Sequence, residues 1–493
     1  MTGSDEERAA KPDAGAADSH LLQSGAPGRG NGTPGEAAAA RRRMPAALYG
    51  LTPPVEAAVM AAIEADRPGQ VRALVEPLHS ADVADLIERL DDEPRGRVID
   101  AIRRRFDPEI LSYLDDSVRE QVVELLGAQD VAAAVKELDS DDAVDLVEDL
   151  DDDIRQRVLA ALPAAERVLV EQGLTFPEES AGRLMRREVV AIPRAWTVGQ
   201  TIDFMRTSQT LPDDFTELFI VDADRKLVGM VALNRLLRTN RPVRVTDIMA
   251  TDFRSIPPAT DREEVANMFR QYGLVSAPVI DEAGALLGVI TVDDVMTVIE
   301  EETEEDLMAL GGVGEGDIHA PPHETARQRI RWLIATFVNA VIASTVISQF
   351  EASIQQIVAL AVLMPIVAAM GGNAGMQVVT VVVRALATKH LTAANALRVV
   401  GNELAVGGIN GVVFATLLGA LAAWWFASPG IGLVLAGAMV FNMIWAGLAG
   451  TLIPLALARF GLDPAIGAGP FLTTTTDVLG FFSFLGLATL FLL

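Results

Sequence analysis

The chain has 493 residues, of which 50% are hydrophobic and 22% charged, and its formal net charge is −27. This length suits about three compact domains. From Trp332 onward four acids balance four bases, so the whole negative charge belongs to the first 331 residues. A nucleic-acid binder would be basic, and a single soluble enzyme would not segregate its charge in this way, so both classes are excluded. The absence of cysteine excludes disulfides and thiolate metal sites.

The first segment, residues 1–47, is rich in alanine, glycine, proline and serine, with three consecutive arginines at 41–43. It contains no apolar run of signal-peptide length. This composition predicts a disordered cytoplasmic tail without a targeting signal.

Residues 48–175 contain an internal repeat, because the segment 78–90 recurs sixty positions later at 138–150, with a further echo from Leu114. Each copy has apolar residues at helical spacing after a Ser or Asp start signal. Short stacked helices of this kind predict an α-helical solenoid. The acids of the second copy could bind cations or form an ordinary solvated face, and they are Asp139, Asp141, Asp142, Asp145, Glu148, Asp149, Asp151, Asp152 and Asp153.

Residues 176–305 alternate strand and helix patterns, and they too are duplicated. A strand at 189–192 is echoed at 253–256, and the strands within 219–231 are echoed within 278–290. The pattern resembles a tandem pair of CBS modules, which are cytosolic sensor units that often bind adenine nucleotides. The resemblance implies an α/β fold with ATP as a candidate ligand of the pair.

The linker, residues 306–331, follows a helix whose acids crowd between positions 293 and 306. Like charges within one helical turn repel each other until a divalent cation neutralises them. Glycines between Gly311 and Gly316 predict a flexible joint, and an amphipathic helix should follow it before Trp332.

The last part of the chain, residues 332–493, has five stretches long and apolar enough to cross the ~30 Å hydrocarbon layer as helices. Basic residues precede the first stretch, lie between the second and third, and follow the fourth. By the positive-inside rule the amino terminus is cytoplasmic, and an odd number of spans leaves the carboxyl terminus outside. The predicted spans are 332–350, 355–386, 404–427, 431–457 and 469–493.

Asp477 is the clearest polar residue within a span, about eight residues into the last one, or ~12 Å deep. An ionisable group inside the membrane marks an ion path by default. With the hydroxyls from Thr473 to Thr476 it forms an all-oxygen environment, which suits Mg²⁺ better than a soft metal. The alternative is an aspartate that only hydrogen-bonds a neighbouring helix.

The second span contains a glycine motif, Gly371-Gly372-Asn373-Ala374-Gly375, with Gln377 two residues later. Glycines allow another backbone or an ion to approach closely. Asn373 and Gln377 share one helix face because they are four residues apart. Taken alone, the motif fits small-residue helix packing equally well.

The segment 365–388, with its GGNxGxQ core, and the segment from Asp463 to Gly480 resemble the second and last membrane helices of the MgtE family of magnesium channels and transporters. The resemblance implies a homodimer of five-helix subunits with a cation pore at the dimer axis. Val378 stands where the family commonly has Ser, and Gly469 where it often has Asn. The implied pore residues are Asp477, as the principal carboxylate, and Asn373, Gly371, Gly372, Gln377, Thr473 and Thr476.

The resemblance also implies that cytosolic Mg²⁺ bridges the solenoid domain, the CBS pair and the linker helix, and so holds the pore shut. Thr297 and Gly273 stand where relatives carry acids, so fewer regulatory ions are expected here. The implied metal ligands are Asp477 and Asp463 in the membrane part, Asp141 and Asp145 in the solenoid, Asp261 and Glu263 in the second CBS module, and Asp294, Glu302, Glu305 and Asp306 near the linker.

The sequence therefore predicts a multidomain membrane protein with an α-helical solenoid N domain, an α/β tandem CBS pair and an all-α five-helix transmembrane domain. Its predicted function is Mg²⁺-selective transport across the inner membrane down the electrochemical gradient. We expect a homodimer in contact with lipids and divalent cations, no nucleic-acid partner, and no catalytic residues, since no enzyme motif is present. The alternatives are a membrane-anchored CBS nucleotide sensor that conducts nothing, and a transporter of Co²⁺ or Mn²⁺.

Overall fold

The computed structural model describes residues 50–208, 211–212, 214–313, 322–392 and 394–493. The predicted tail, residues 1–47, lies outside these ranges. So do residues 314–321, which include half of the predicted joint.

The N domain is helical, as its repeat predicts. Prolines occupy the first turn of its first two helices, where a missing backbone N–H costs nothing. Two short 3₁₀ segments, Arg103–Arg105 and Pro108–Tyr113, separate its halves. The α-helices are α1 (Pro53–Glu64), α2 (Pro68–Val75), α3 (Ser80–Glu88), α4 (Asp92–Ile102), α5 (Asp116–Leu126), α6 (Ala128–Glu137), α7 (Ser140–Glu148), α8 (Asp152–Ala161) and α9 (Ala164–Gly173).

The repeat recognised in the sequence is also a repeat in packing. Helices α3 and α7 begin sixty residues apart, and both bury the same positions against one hydrophobic core. Leu86 and Ile87 of α3 correspond to Leu146 and Val147 of α7, and all four are buried. The acids of α7 therefore stand on the face that the apolar repeat leaves outside the core, with Asp141 as an exception described below.

The CBS pair contains two small sheets. In the first, β1 pairs in parallel with β2, which pairs antiparallel with β3; in the second, β4 pairs antiparallel with β5. The elements are α10 (Ala181–Leu184), β1 (Ala191–Pro193), α11 (Val198–Thr207), β2 (Glu217–Val221), β3 (Leu227–Ala232), α12 (Leu233–Leu237), α13 (Arg262–Tyr272), β4 (Ser276–Ile280) and β5 (Leu286–Thr291).

The second copy of the first strand is shorter than the sequence predicts. The predicted strand at 253–256 is reduced to a single parallel bridge between Ile256 and Val279. Two prolines, Pro257 and Pro258, follow it, and Pro278 stands in the opposite strand. Because proline has no backbone N–H, the ladder cannot extend at these positions.

One continuous helix, α14 (Val292–Leu310), leads from the last CBS strand towards the membrane. It runs through position 305, where we predicted the end of the CBS pair, so the acids between 293 and 306 all belong to one element. Its far end is apolar, and Ala309 and Leu310 pack in a cluster with Val383 and Leu472 of the membrane helices.

Within the ranges that the structure describes, the membrane part has five helices long and apolar enough to span a bilayer, as predicted. The predicted amphipathic helix before Trp332 is continuous with the first span. The helices are α15 (Pro322–Ser348), the short α16 (Glu351–Gln356), α17 (Ala359–Ala387), α18 (Ala396–Trp425), α19 (Pro429–Arg459) and α20 (Pro464–Leu492).

The last helix begins five residues earlier than predicted. The Asp463 carboxylate accepts a hydrogen bond from the Ala465 backbone N–H at 2.7 Å, and Pro464 fits the first helical position. Pro470, which we placed near the start of the span, lies inside the helix. Asp477 is therefore thirteen residues beyond the first helical residue, or ~20 Å along the helix axis.

Helix α19 forms the centre of the membrane part and buries residues along its whole length. Helix α18 packs closely against α19 at Gly407 and Gly411, where a Cβ would collide with the α19 backbone. Helix α15 is peripheral: it packs mainly against α20, where the Asn339 side chain donates to the Pro470 carbonyl at 3.0 Å.

Candidate ion pathway

Asp477 lies near the middle of α20, half-buried, with one side of the helix packed in the subunit. Within the described residues, no hydrogen bond or ion pair joins its carboxylate to another side chain. An unpaired carboxylate at this depth is costly in lipid unless water or a cation solvates it. The alternative, a purely structural aspartate, predicts a hydrogen bond between its carboxylate and a neighbouring helix. No such bond is found among the residues that the structure describes.

The two predicted pore threonines face different ways. Thr473 is one turn before Asp477 and exposed on the same side of α20. Thr476 is fully buried, and its hydroxyl donates to the Leu472 and Thr473 carbonyls at 3.0 and 3.1 Å. In this arrangement Thr473 accompanies Asp477 at the surface of the chain, whereas Thr476 packs inside it.

The glycine motif of α17 likewise has two faces. Asn373 and Gln377 are exposed on one side, near the middle of the 29-residue helix. Gly371 and Gly375 are buried on the other side, where Gly375 contacts Leu472 of α20. The two interpretations of the motif therefore concern different residues: Gly371 and Gly375 are placed for helix packing, and Asn373 and Gln377 are the residues left exposed for an ion.

Asn442 of α19 explains why position 371 is glycine. Its side chain is fully buried and donates to the Val367 carbonyl of α17 at 2.8 Å, while its Oδ1 has no partner among the described residues. A Cβ on Gly371 or on Gly480 of α20 would overlap this amide. Asn442 thus fixes three helices together, one turn from Asp477.

Adjacent glycines provide a matched test of this packing. Gly371→Ala should destabilise the membrane part by about 1–3 kcal/mol, since the new methyl group collides with the Asn442 amide. Gly372→Ala has open space around the new Cβ and should be neutral or stabilising by up to about 1 kcal/mol. Thermal unfolding in detergent compares the two variants, and equal stability would contradict the packing role of Gly371.

The predicted regulatory acids form two groups, and the first lies between the N domain and the CBS pair. Here Arg186 forms ion pairs with four carboxylates, at 3.1 Å to Asp139, 3.0 Å to Asp141, 2.9 Å to Asp293 and 2.5 Å to Asp294. We call these five residues the Arg186 cluster. Two predicted metal ligands, Asp141 and Asp294, are thus brought together, but around a guanidinium.

Asp145, also predicted as a metal ligand, lies apart from the Arg186 cluster. It pairs with Arg119 at 2.9 Å, and Arg119 also holds Asp149 at 2.8 Å. Its side chain is 64% exposed. The structure therefore separates Asp145 from Asp141, although the two are one helical turn apart.

The second group lies where α14 reaches the membrane, and we call it the mouth cluster: Glu263, Glu302, Glu305, Asp306 and Asp463. Burial raises the pKa of Asp306, and the charges of Asp463 and Glu302 raise it further. Burial also raises the pKa of Glu263, together with Glu302, Asp261 and Asp306. These couplings place acids of α13, α14 and α20 within electrostatic range of one another.

Most of the mouth cluster has no positive partner. Glu302 pairs with Arg262 at 2.8 Å, whereas no ion pair involves Glu263, Glu305, Asp306 or Asp463 within the described residues. Asp261, a further predicted ligand, caps α13 by accepting from the Glu263 backbone N–H at 2.9 Å. In the described ranges the acids do not yet form a group of three or more that could hold a metal ion.

The CBS pair also touches the membrane part directly. Lys389, in the loop after α17, pairs with Glu264 at 3.3 Å, and the Asn267 side chain donates to the Ala387 carbonyl at 3.3 Å. Helix α13 is thus joined to the C-terminal end of the helix that contains the glycine motif. Neither contact was predicted, because single polar residues give no signal of partners over a hundred positions away.

Comparison with known proteins finds a match for each of the three structural parts. Family models match in the same order as the structural parts: an MgtE intracellular N domain at 78–179, CBS domains at 181–240 and 245–301, and a divalent cation transporter domain of the MgtE type at 364–487. The Magnesium transporter MgtE of Thermus thermophilus is 31% identical over 438 residues, covering 87% of this chain and 97% of that protein. The protein of the same name in Bacillus subtilis is 28% identical over 422 residues, covering 85% and 94%.

Two solved structures resemble about half of this chain. The cytosolic domain of the Mg²⁺ channel MgtE in complex with ATP is 28% identical, with a TM-score of 0.47, and covers 49% of this chain and 99% of its own. The soluble part of a magnesium transporter is 24% identical, with a TM-score of 0.44, and covers 50% and 98%.

Proposed function

The chain belongs to the MgtE family of magnesium transporters, and on this premise we propose that it moves Mg²⁺ across the membrane along a path past Asp477. The observation that supports this path best is the unpaired carboxylate in the middle of the last span. A hard, all-oxygen environment fits Mg²⁺. The membrane potential, worth ~2.3 kcal/mol per charge per 100 mV, drives entry of a divalent cation without ATP hydrolysis.

A second copy of the chain completes this path in our proposal. Asn373 and Gln377 expose amides near the middle of α17, and Thr473 exposes a hydroxyl beside Asp477. Polar groups at mid-membrane are disfavoured against lipid and favour contact with another helix or with water. A homodimer that joins these faces would enclose a polar path between its subunits, with the apolar surfaces of the other helices against lipid.

The orientation follows from charge. The bases near the start of α15, those at the end of α17, in the following loop and at the start of α18, and Arg459 at the end of α19 lie on one side of the membrane if the N domain and CBS pair are cytoplasmic. We therefore propose a multi-pass protein of the inner membrane with a cytoplasmic amino terminus and an external carboxyl terminus.

Closure by cytosolic Mg²⁺ is the regulatory part of the proposal. The mouth cluster joins the CBS pair, α14 and α20, and four of its five carboxylates lack a positive partner among the described residues. The apolar end of α14 packs against α17 and α20 through Ala309 and Leu310. A divalent cation bound by the mouth cluster would stabilise this contact between α14 and the membrane helices. High cytosolic Mg²⁺ would thus favour a closed arrangement of the pore helices.

Uptake by liposomes tests transport. Purified protein in liposomes should admit Mg²⁺ when a membrane potential is imposed, with Ca²⁺, Co²⁺ and Mn²⁺ measured in parallel and protein-free liposomes as the control. Faster entry of Co²⁺ or Mn²⁺ would favour the alternative substrate. No entry of any divalent cation would favour a membrane-anchored nucleotide sensor.

We also propose that the CBS pair binds ATP, as CBS modules often do, and that this binding is separate from transport. The support is the match of both modules to the CBS family. Equilibrium dialysis of the full chain against ATP measures it, and absence of saturable binding would remove ATP from the proposal.

A further inference from the structure

Arg186 occupies the contact between the N domain and the CBS pair. It follows α10, and its backbone is fixed by two hydrogen bonds of 2.8 Å with Val289 of β5. Its guanidinium reaches two acids of the N domain and two at the start of α14, at 2.5 to 3.1 Å. One side chain therefore connects three structural elements through charge.

The two innermost partners of Arg186 are well shielded from water. The side chains of Asp141 and Asp294 are 7% and 12% exposed, against 21% for Arg186 itself. Asp141 also has a buried Oδ1 without a partner among the described residues. Without a cation between them, these carboxylates would repel each other in a poorly solvated place, and such repulsion would push the N domain away.

A guanidinium satisfies this contact differently from a metal ion. It offers five N–H donors in a fixed plane and stays charged at every physiological pH. Although burial alone would lower its pKa, Asp141 and Asp294 hold the pKa of Arg186 above its ordinary range. A Mg²⁺ ion could bind Asp141 and Asp294 together only by displacing this tethered cation.

We propose that Arg186 is a built-in cation that holds the N domain on the CBS pair without Mg²⁺, so that the ion-dependent step is confined to the mouth cluster. This inference rests on the proposed function, because it divides the proposed regulation between two places. It also changes an expectation from the sequence: Asp141 and Asp294 bind an arginine of the same chain and not a regulatory ion.

The contact can be measured independently of transport because the chain contains no cysteine. The Ser140 hydroxyl donates to the Glu188 carboxylate at 2.8 Å, across the same contact. Cysteines at these two positions, Ser140→Cys with Glu188→Cys, report the contact through the yield of a short bis-maleimide cross-link in the full-length membrane protein. This readout remains valid whether or not the protein conducts Mg²⁺, so the two proposals can fail separately.

With Arg186 in place, we expect the cross-link yield to change by less than about twofold between EDTA and millimolar Mg²⁺, because a paired buried charge needs no added ion. With Arg186→Gln, the yield in EDTA should fall by at least about tenfold, since four acids then lack their cation, and Mg²⁺ should restore it. Arg187→Gln is the control with the same charge change at the same contact, because the Arg187 side chain donates to the Gln172 amide oxygen of the N domain and no ion pair joins it to the Arg186 cluster within the described residues.

A further variant separates charge balance from misfolding. Arg186→Gln combined with Asp141→Asn and Asp294→Asn removes the cation together with its two shielded partners, and it should restore cross-linking in EDTA. A parent yield that rises with Mg²⁺ as steeply as that of Arg186→Gln would overturn the proposal. So would full cross-linking of Arg186→Gln in EDTA, or no recovery in the triple variant.

Discussion

Replacing Asp477 by asparagine should lower Mg²⁺ uptake by about a hundredfold or more, because a carboxylate and a divalent ion ~4 Å apart attract each other by several kcal/mol even at an effective dielectric constant of about 20. Asparagine keeps the shape and removes the charge. No described side chain depends on this carboxylate for a hydrogen bond, so the fold should persist. Uptake is measured in liposomes and in a host that needs Mg²⁺ transport for growth.

Glu351→Gln provides the control for this variant. Glu351 opens the short helix α16 at the edge of the membrane part and is exposed, with a hydrogen bond of 3.1 Å from the Gln355 side chain. The substitution removes the same charge without touching the proposed path, and it should leave uptake unchanged. Normal uptake by Asp477→Asn, at equal protein level, would contradict the proposed role of Asp477.

The second large effect concerns closure. Neutralising Asp141, Asp145, Glu302 and Glu305 together should shift the cytosolic Mg²⁺ concentration for half-closure upwards by at least about tenfold, because a ligand closes a pore only through its preference for the closed state. Asp477 is untouched, so discrimination against Ca²⁺ should remain. Patch recordings with Mg²⁺ varied on the cytoplasmic face measure both quantities.

A control with the same total charge change uses exposed acids that belong to neither cluster. Asp151, Asp152 and Asp153 at the start of α8 and Glu282 in the turn after β4 are all exposed. Neutralising these four should leave the inhibition curve in place if closure depends on specific sites and not on general charge. An unchanged curve in the first quadruple variant, or an equal shift in the control, would refute the regulatory role.

The two halves of the first quadruple variant also distinguish the two acidic groups. Asp141 and Asp145 already have arginine partners at 3.0 and 2.9 Å, whereas Glu305 has none among the described residues. The pair Glu302→Gln with Glu305→Gln should therefore account for most of the shift. An equal contribution from Asp141→Asn with Asp145→Asn would show that the N-domain acids bind the regulatory ion directly.

The five spans and the two duplicated domains could be predicted from the sequence because their signals are local. Length and apolarity define a span, and a spacing of sixty residues defines the repeat. The predicted start of the last helix was wrong although its signal was present in the sequence. Asp463 followed by Pro464 is typical of a helix start, but we placed the start at 469 because the apolar run begins there.

The partners of Arg186 could not be predicted. Its acids come from positions 139–141 and 293–294, and only the packing of three elements brings them together. The same holds for position 371, which must be glycine because the Asn442 amide, seventy-one residues later in the chain, leaves no room for a Cβ. In both cases the sequence shows the residue type, but the contact that explains it forms only when distant parts of the chain pack together.

The placement of helix α15 has a consequence for how the membrane part is made. Among the five described spans it leaves the ribosome first, yet it packs mainly against α20, which is synthesised after the other four. The Asn339 amide can reach the Pro470 carbonyl only after α20 has been synthesised. During synthesis the α15 face that contacts α20 therefore remains exposed to lipid until α20 is inserted. A chain that terminates before α20 should expose this face permanently, and we expect membrane proteases to degrade it.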